Sequence, residues 1–259
     1  MRFGVCTRVE HGEALKHIGW DFVEELIQPF LMGESPDDAW TGLTRLKNCP
    51  LPLPAANAML PPHLKPVGPD VDWDKLQTYM TRVLSRAQKT GIKILVFGSG
   101  VARTVPDGFD RNEAKKQILQ FIRMSANLAA QHNVVIVAEH LNRGECNIIN
   151  SLDEAMEYVL EVNHPNYLCL VDSFHFWLEK ESLGSLKRCM PYIRHVHVSD
   201  TQGRVPPGES GLHDYRPFFK IIKEAGYDGL ISVEATGFMG TEDSSPRVLE
   251  YLRNSWKDA

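Results

Sequence analysis

No stretch of the chain reaches the roughly 18 consecutive apolar residues that suggest a membrane-spanning helix. A membrane partner is therefore not expected. The N-terminus, MRFGVCTRVEHGE, also lacks the basic region and apolar stretch of a secretory leader, so a cytoplasmic protein is expected. Nor is there a block of basic residues: Lys and Arg number 28 against 33 Asp and Glu, for a formal net charge of -5. Without a basic stripe to track phosphates, nucleic acid is not an expected partner. The five cysteines, Cys6, Cys49, Cys146, Cys169 and Cys189, are scattered and never spaced C-x-x-C. Reduced core or loop thiols are expected, rather than disulfides or a zinc-thiolate site. The dinucleotide fingerprint G-x-G-x-x-G is missing after the first apolar run, which weakens the case for an open doubly wound sheet.

What is present is a regular alternation. The 259 residues, 43% of them hydrophobic, suffice for one large core. Short β-rich apolar runs recur at Phe3 to Cys6, Phe22 to Leu26, Leu53 to Met59, Ile92 to Phe97, Val134 to Ala138, Tyr167 to Val171, Ile193 to Val198 and Leu230 to Val233. Several, such as VVIVA and YLCLV, are continuously apolar, as strands buried on both faces are. Helical patterns lie between them: Asp74 to Thr90 with Gly91 as a stop, Arg111 to Gln131, a helix opened by the Ser151/Glu154 capping box, Tyr215 to Ala225, and Ser245 to Trp256 with Pro246 in its first turn. Shorter helices are expected near Gly12 to His17 and Asp37 to Leu46. Strand and helix alternate without a linker-like shift in composition, which predicts an α/β chain folded as a single-domain (β/α)8 TIM barrel over residues 1–259.

Functional groups of such a barrel project from the C-terminal ends of its strands. VVIVA runs into Glu139, YLCLV into Asp172, IRHV into His197 and LISV into Glu234. Any one of these has an ordinary explanation as a helix cap, a hydrogen-bonded rim residue or a surface pair. Together, at corresponding positions of four consecutive units, they form a metal-ligand set, because crowded carboxylates repel one another unless a cation lies between them. Three oxygen donors and one imidazole suit Mn²⁺, Mg²⁺ or Co²⁺, and Zn²⁺ also satisfies them; one divalent ion per chain is expected, with Mn²⁺ the first choice.

The segments Glu139-His140-Leu141-Asn142-Arg143-Gly144-Glu145, Val171-Asp172-Ser173-Phe174-His175, His197-Val198-Ser199-Asp200 with Arg204 and Pro207-Gly208-Glu209, and Ser232-Val233-Glu234-Ala235 resemble the xylose isomerase-like superfamily of sugar isomerases and epimerases. Within it they look most like ketose 3-epimerases of the tagatose and allulose (psicose) type. Phe97-Gly98-Ser99-Gly100 and Gly19-Trp20-Asp21-Phe22-Val23-Glu24 resemble the family's earlier strands. The resemblance implies that Glu139 and Glu234 are both ligands and acid/bases, that Asp172 and His197 complete the coordination, and that Glu145, His175 and Arg204 contact the substrate. It also implies a dimer or tetramer. The chain is shorter than typical ketose 3-epimerases, and segments that would close over the far end of a sugar are not recognisable.

The expected chemistry is proton abstraction beside a carbonyl through an enediolate, giving epimerisation if the proton returns from the opposite face and isomerisation if it returns to the adjacent carbon. A hydroxypyruvate- or inosose-type isomerase or a dehydratase would use the same ligands. An endonuclease-IV-like phosphodiesterase would need extra histidines at the early strand ends, where only His63 and His213 are spare. A non-enzymatic sugar-binding barrel is the remaining alternative. Among smaller signals, His195 reads as structural and His140 as facing a helix. Gly98-Ser99-Gly100 with Arg103 reads as either a phosphate cradle or a plain turn. Trp20, Trp40, Trp73, Phe97 and Phe109 have no assigned role.

Overall fold

Eight short strands alternate in side-chain direction, so each buries one row of side chains inside a ring and the other beneath helices. In the computed structural model, which describes residues 1–259, they are β1 (Arg2–Cys6), β2 (Phe22–Leu26), β3 (Ala55–Asn57), β4 (Ile94–Phe97), β5 (Val135–Glu139), β6 (Tyr167–Asp172), β7 (Ile193–Val198) and β8 (Leu230–Val233). All pair in parallel, in sequence order, and β8 closes on β1. The (β/α)8 barrel is therefore the fold. The expected third strand, Leu53 to Met59, shortens to three residues: Pro52 and Pro54 lack the N–H a ladder needs, and Ala58 turns into the left-handed region at φ 56°.

The helices are α1 (Gly12–Ile18), α2 (Ile27–Leu31), α3 (Gly42–Leu46), α4 (Trp73–Thr90), α5 (Gly100–Arg103), α6 (Arg111–Gln131), α7 (Leu152–Val162), α8 (Ser173–Leu178), α9 (Leu183–Cys189), α10 (Tyr215–Glu224) and α11 (Ser245–Lys257). Their ends follow sequence. Asp72, Asp110 and Ser151 accept hydrogen bonds from the backbone N–H of Lys75, Glu113 and Glu154, and Gly91 ends α4 at φ 84°. The helix expected over Asp37 to Leu46 splits into a 3-10 turn (Asp37–Ala39) and α3, because Trp40 is extended between them.

One large hydrophobic cluster joins the outer strand faces to the helices. Two small ones, Phe22/Ala55/Leu230 and Val96/Val137/Leu170, belong to the inward rows. They form the apolar lower part of the lumen. Gly4 leaves room for the Phe22 ring, which a Cβ there would overlap. Moving two residues along each inward row towards the C-terminal end takes Phe22 to Glu24, Val137 to Glu139, Leu170 to Asp172 and Leu230 to Ser232 and then Glu234. Polarity therefore rises towards the mouth. No helix is long and apolar enough to cross a membrane, and all five cysteines are free.

Candidate metal centre at the barrel mouth

The four strand-end residues singled out by sequence meet. One ligand atom from each of Glu139, Asp172, His197 and Glu234 lies within 4.8 Å of the other three. Parallel register brings them level, since Asp172 pairs with His197 across β6 and β7 and Glu139 with Leu170 across β5 and β6. His197 Nδ1 is 3.1 Å from Glu234 Oε2 and 3.5 Å from Glu139 Oε1. Glu139, Asp172 and His197 are buried.

Electrostatics separates the three acids. Burial, reinforced by the charge of Glu234, pushes the Glu139 carboxyl up. Burial also raises Asp172, to about 6, against the pull of Arg204. For Glu234 burial is outweighed by Arg204 and His197, and its pKa falls to about 2. The arginine responsible donates from one Nη2 to Asp172 Oδ2 at 2.9 Å and to Glu234 Oε2 at 2.7 Å, while its guanidinium carbon lies 4.6 Å from the centre of the Phe174 ring. Glu139 Oε1 is buried without any hydrogen-bond partner. An orphaned carboxylate oxygen beside two more acids and an imidazole nitrogen is a donor set that fits a divalent cation.

The residues expected to meet a substrate fall around this cluster. His175 is fully buried, and its Nδ1 accepts from both the backbone N–H of Asn142, at 3.1 Å, and the Asn142 amide, at 2.9 Å. The proton therefore resides on Nε2, which lies 3.6 Å from Asp172 Oδ2 and has no hydrogen-bond partner. That nitrogen is a preset donor. The other Asn142 amide contact, 2.9 Å to Oε1, fixes the exposed Glu145 on the same loop. Arg204 is at the mouth, where one Nη2 serves both acids while Nε has no hydrogen-bond partner, so the guanidinium keeps donors for a substrate hydroxyl. Asp200 accepts from Gly208 N, Ser210 N and Ser210 Oγ, and thereby pins the Pro207-Gly208-Glu209 segment.

Other expectations resolve differently. Arg103 is no phosphate ligand: it is fully buried and donates to the carbonyls of Phe97 and Glu139, both at 2.7 Å. Gly98-Ser99-Gly100 is thus a plain turn. Its glycine still matters, because a Cβ at Gly98 would overlap Glu139 Oε2. His140 is buried behind the barrel, with Nε2 3.2 Å from Glu181 Oε1. His63 and His213 lie on Glu34 and Thr201, away from the acids.

Three residues escaped sequence reasoning as site components. Asn57, at the end of β3, donates to Glu234 Oε1 at 2.8 Å. Cys6, at the end of β1, has its Sγ 4.0 Å from His197 Nε2. Glu24 on β2 reaches across the lumen to His197 and His195. Its signal was available as an acid inside an otherwise apolar run, but Phe-Val-Glu-Glu-Leu does not reveal which glutamate points inward. Glu25 points outward, to Val9 N and Arg45.

A family model described as a xylose isomerase-like TIM barrel matches residues 13–255. The chain is 26% identical over 194 residues to a D-psicose 3-epimerase of Ruminiclostridium cellulolyticum, an alignment covering 72% of this chain and 65% of that protein. It thus spans less than two thirds of that relative's length. The crystal structure of a 3-keto-D-glucoside 4-epimerase from E. coli superposes with a TM-score of 0.82 at 20% identity, covering 98% of this chain and 99% of that one. The IOLI protein, whose crystal structure has a bound zinc atom, superposes with a TM-score of 0.73 at 19% identity over 100% of this chain and 97% of that one.

Proposed function

Because the chain belongs to the xylose isomerase-like TIM-barrel family, we propose that it is a divalent-metal-dependent sugar isomerase or epimerase, with ketose 3-epimerisation as its reaction. The observation that carries this reading is the convergence of Glu139, Asp172, His197 and Glu234 at the barrel mouth. Those four residues would hold the ion, and Mn²⁺ is the ion we propose. Such an ion polarises a substrate carbonyl and holds the negative charge that develops as the neighbouring proton leaves.

The protein's own groups supply the rest. Glu139 and Glu234 are two carboxylates beside one imidazole, from different strands, and their environments drive their proton affinities apart. One takes the proton and the other returns it, which inverts the carbon between them. The Nε2 proton of His175 is placed to donate to a substrate oxygen, and Glu145 stands further out for the more distant hydroxyls. The likeness to the D-psicose 3-epimerase of Ruminiclostridium cellulolyticum supports this choice of reaction. Another relative, an inosose isomerase of Bacillus subtilis at 25% identity, supports the second reading, an isomerase of another polyol-derived ketone on the same centre.

The test is a deuterium-exchange screen in D2O over ketoses, ketose phosphates, inososes and hydroxypyruvate, read by NMR with Mn²⁺, Mg²⁺, Co²⁺ and Zn²⁺ in turn. Deuterium at C3 of a ketose together with formation of its 3-epimer is expected. No exchange into any of these compounds by the metal-loaded protein would refute the proposal.

A further inference from the structure

We infer that Glu24 is the positioning residue of the metal centre: anchored by Ser232 and His195, it accepts the hydrogen bond of His197 Nε2–H and so leaves Nδ1, which faces Glu139 and Glu234, as the nitrogen that would ligate the ion. This inference rests on the metal-centre reading above. The Glu24 carboxylate is fully buried and accepts three hydrogen bonds, from His197 Nε2 to Oε1 at 2.9 Å, and from His195 Nε2 and Ser232 Oγ to Oε2 at 2.6 Å each. No Lys or Arg pairs with it. An ionised carboxylate only accepts, so both histidines must carry hydrogen on Nε2. The His197 ring therefore keeps its Nε2–H towards Glu24, and Nδ1, 3.1 Å from Glu234 Oε2, is the nitrogen that would be free to ligate an ion held among the acids.

A role limited to filling space does not account for this geometry. Elsewhere the same lumen is filled by Val96, Val137 and Leu170, and well-packed apolar residues are usually at least as stabilising as a buried charged group with its partners. Glu24 moreover comes from β2 and His197 from β7, strands separated by β1 and β8 in the closed order, so the hydrogen bond crosses the barrel to a ring that is itself a candidate ligand. Cys6, Glu24 and His197 also approach one another closely. They do not make a second ion site, because both Glu24 oxygens and His197 Nε2 are already committed. The arrangement is a carboxylate–histidine pair behind a metal position, which fixes the tautomer and raises the basicity of the ligating nitrogen.

The test compares the wild type with Glu24→Gln and Ser232→Ala as full-length chains. Mn²⁺ affinity is measured by titration of the metal-free proteins, and the protonation of His197 is read from ¹⁵N-histidine spectra of the Zn²⁺-loaded forms. The wild type is expected to bind one ion and to show the His197 proton on Nε2. Glu24→Gln is expected to fold, with unchanged near-UV circular dichroism, but to bind Mn²⁺ about 10- to 100-fold more weakly and to lose the strongly hydrogen-bonded Nε2 proton signal. Ser232→Ala, which loosens Glu24 without touching His197, is expected to weaken binding about threefold, a lesser loss of the same kind. A folded Glu24→Gln with wild-type affinity and spectrum overturns the inference. If that variant does not fold, unchanged affinity and spectrum in Ser232→Ala overturns it. A wild type that binds none of the divalent ions overturns the metal-centre reading itself, which is a different result.

Discussion

The two halves of the barrel contribute to the mouth in different ways. Strands β5 to β8 bring all four candidate ligands, Glu139, Asp172, His197 and Glu234, whereas β2, β3 and the residue after β4 bring groups that hold those ligands in place: Glu24 against His197, Asn57 against Glu234 and Gly98 beneath Glu139. On the function proposed above, the late half would carry the chemistry and the early half would set its geometry. An inference drawn from strand-end acids and histidines alone therefore finds one half and overlooks the other, because an amide, a glycine and an acid one layer down do not announce themselves as ligands.

The sharpest way to break this division is to attack the late half. Glu234→Gln keeps the shape and the contact with Asn57 available but removes a charge and a base, so solvent-deuterium incorporation into a ketose should fall by about 10²- to 10⁴-fold in a variant that still folds by far-UV circular dichroism. Persistence of exchange would take Glu234 out of the proton transfer. The early half should matter through position alone. Gly98→Ala puts a methyl group where Glu139 Oε2 now lies, and displacement of a catalytic carboxylate by roughly 1 Å costs about 10²-fold. Measured kcat/KM should drop by that order while the far-UV circular dichroism spectrum is retained. A variant as active as wild type would show that Glu139 has freedom the structure does not indicate.

Asn57→Ala probes the same half more gently. It removes one hydrogen bond to a charged acceptor, worth about 1.5–3 kcal/mol, so a loss in kcat/KM of at least about tenfold is expected, together with a loss of folding stability of up to the same size. If Asn57→Ala proves as damaging as Glu234→Gln, the division between chemistry and positioning fails at β3.

The sequence made the barrel and its late half readable because continuous apolar runs mark strands covered on both faces, and each of the last four runs stops at a carboxylate or imidazole that the fold brings together. Boundaries were less legible where proline intervened, as at Pro52 and Pro54 before β3. The early half was opaque for physical reasons. Inward and outward positions on Phe-Val-Glu-Glu-Leu differ only by register, which depends on pairing with β1 and β3. Gly98 acts through the side chain it lacks. Arg103 near a Gly-Ser-Gly turn suggested a phosphate site, but its guanidinium ties the ends of β4 and β5 together from behind.

A last comparison sets the mouth against the shell outside it. Glu181 lies behind β5, with its carboxylate accepting from Leu152 N at 3.0 Å and near His140, and touches none of the four ligands. Burial raises its pKa from the usual 4.5 to about 7, with the Leu152 hydrogen bond opposing and Asp153 adding to the shift. The folded protein therefore keeps a proton on Glu181 that the unfolded chain has already lost between about pH 4.5 and pH 7. Folding stability from this group is fully present below that window and declines as pH rises through it. With Glu181 partly open to solvent, the change is of order 1 kcal/mol. Denaturant unfolding of the metal-free protein at pH 5 and pH 7.5 should show wild type losing that much more stability than Glu181→Gln, whose amide does not titrate. Equal pH dependence in the two proteins would place the burden of pH sensitivity on the mouth instead, and the mouth and shell would no longer be separable.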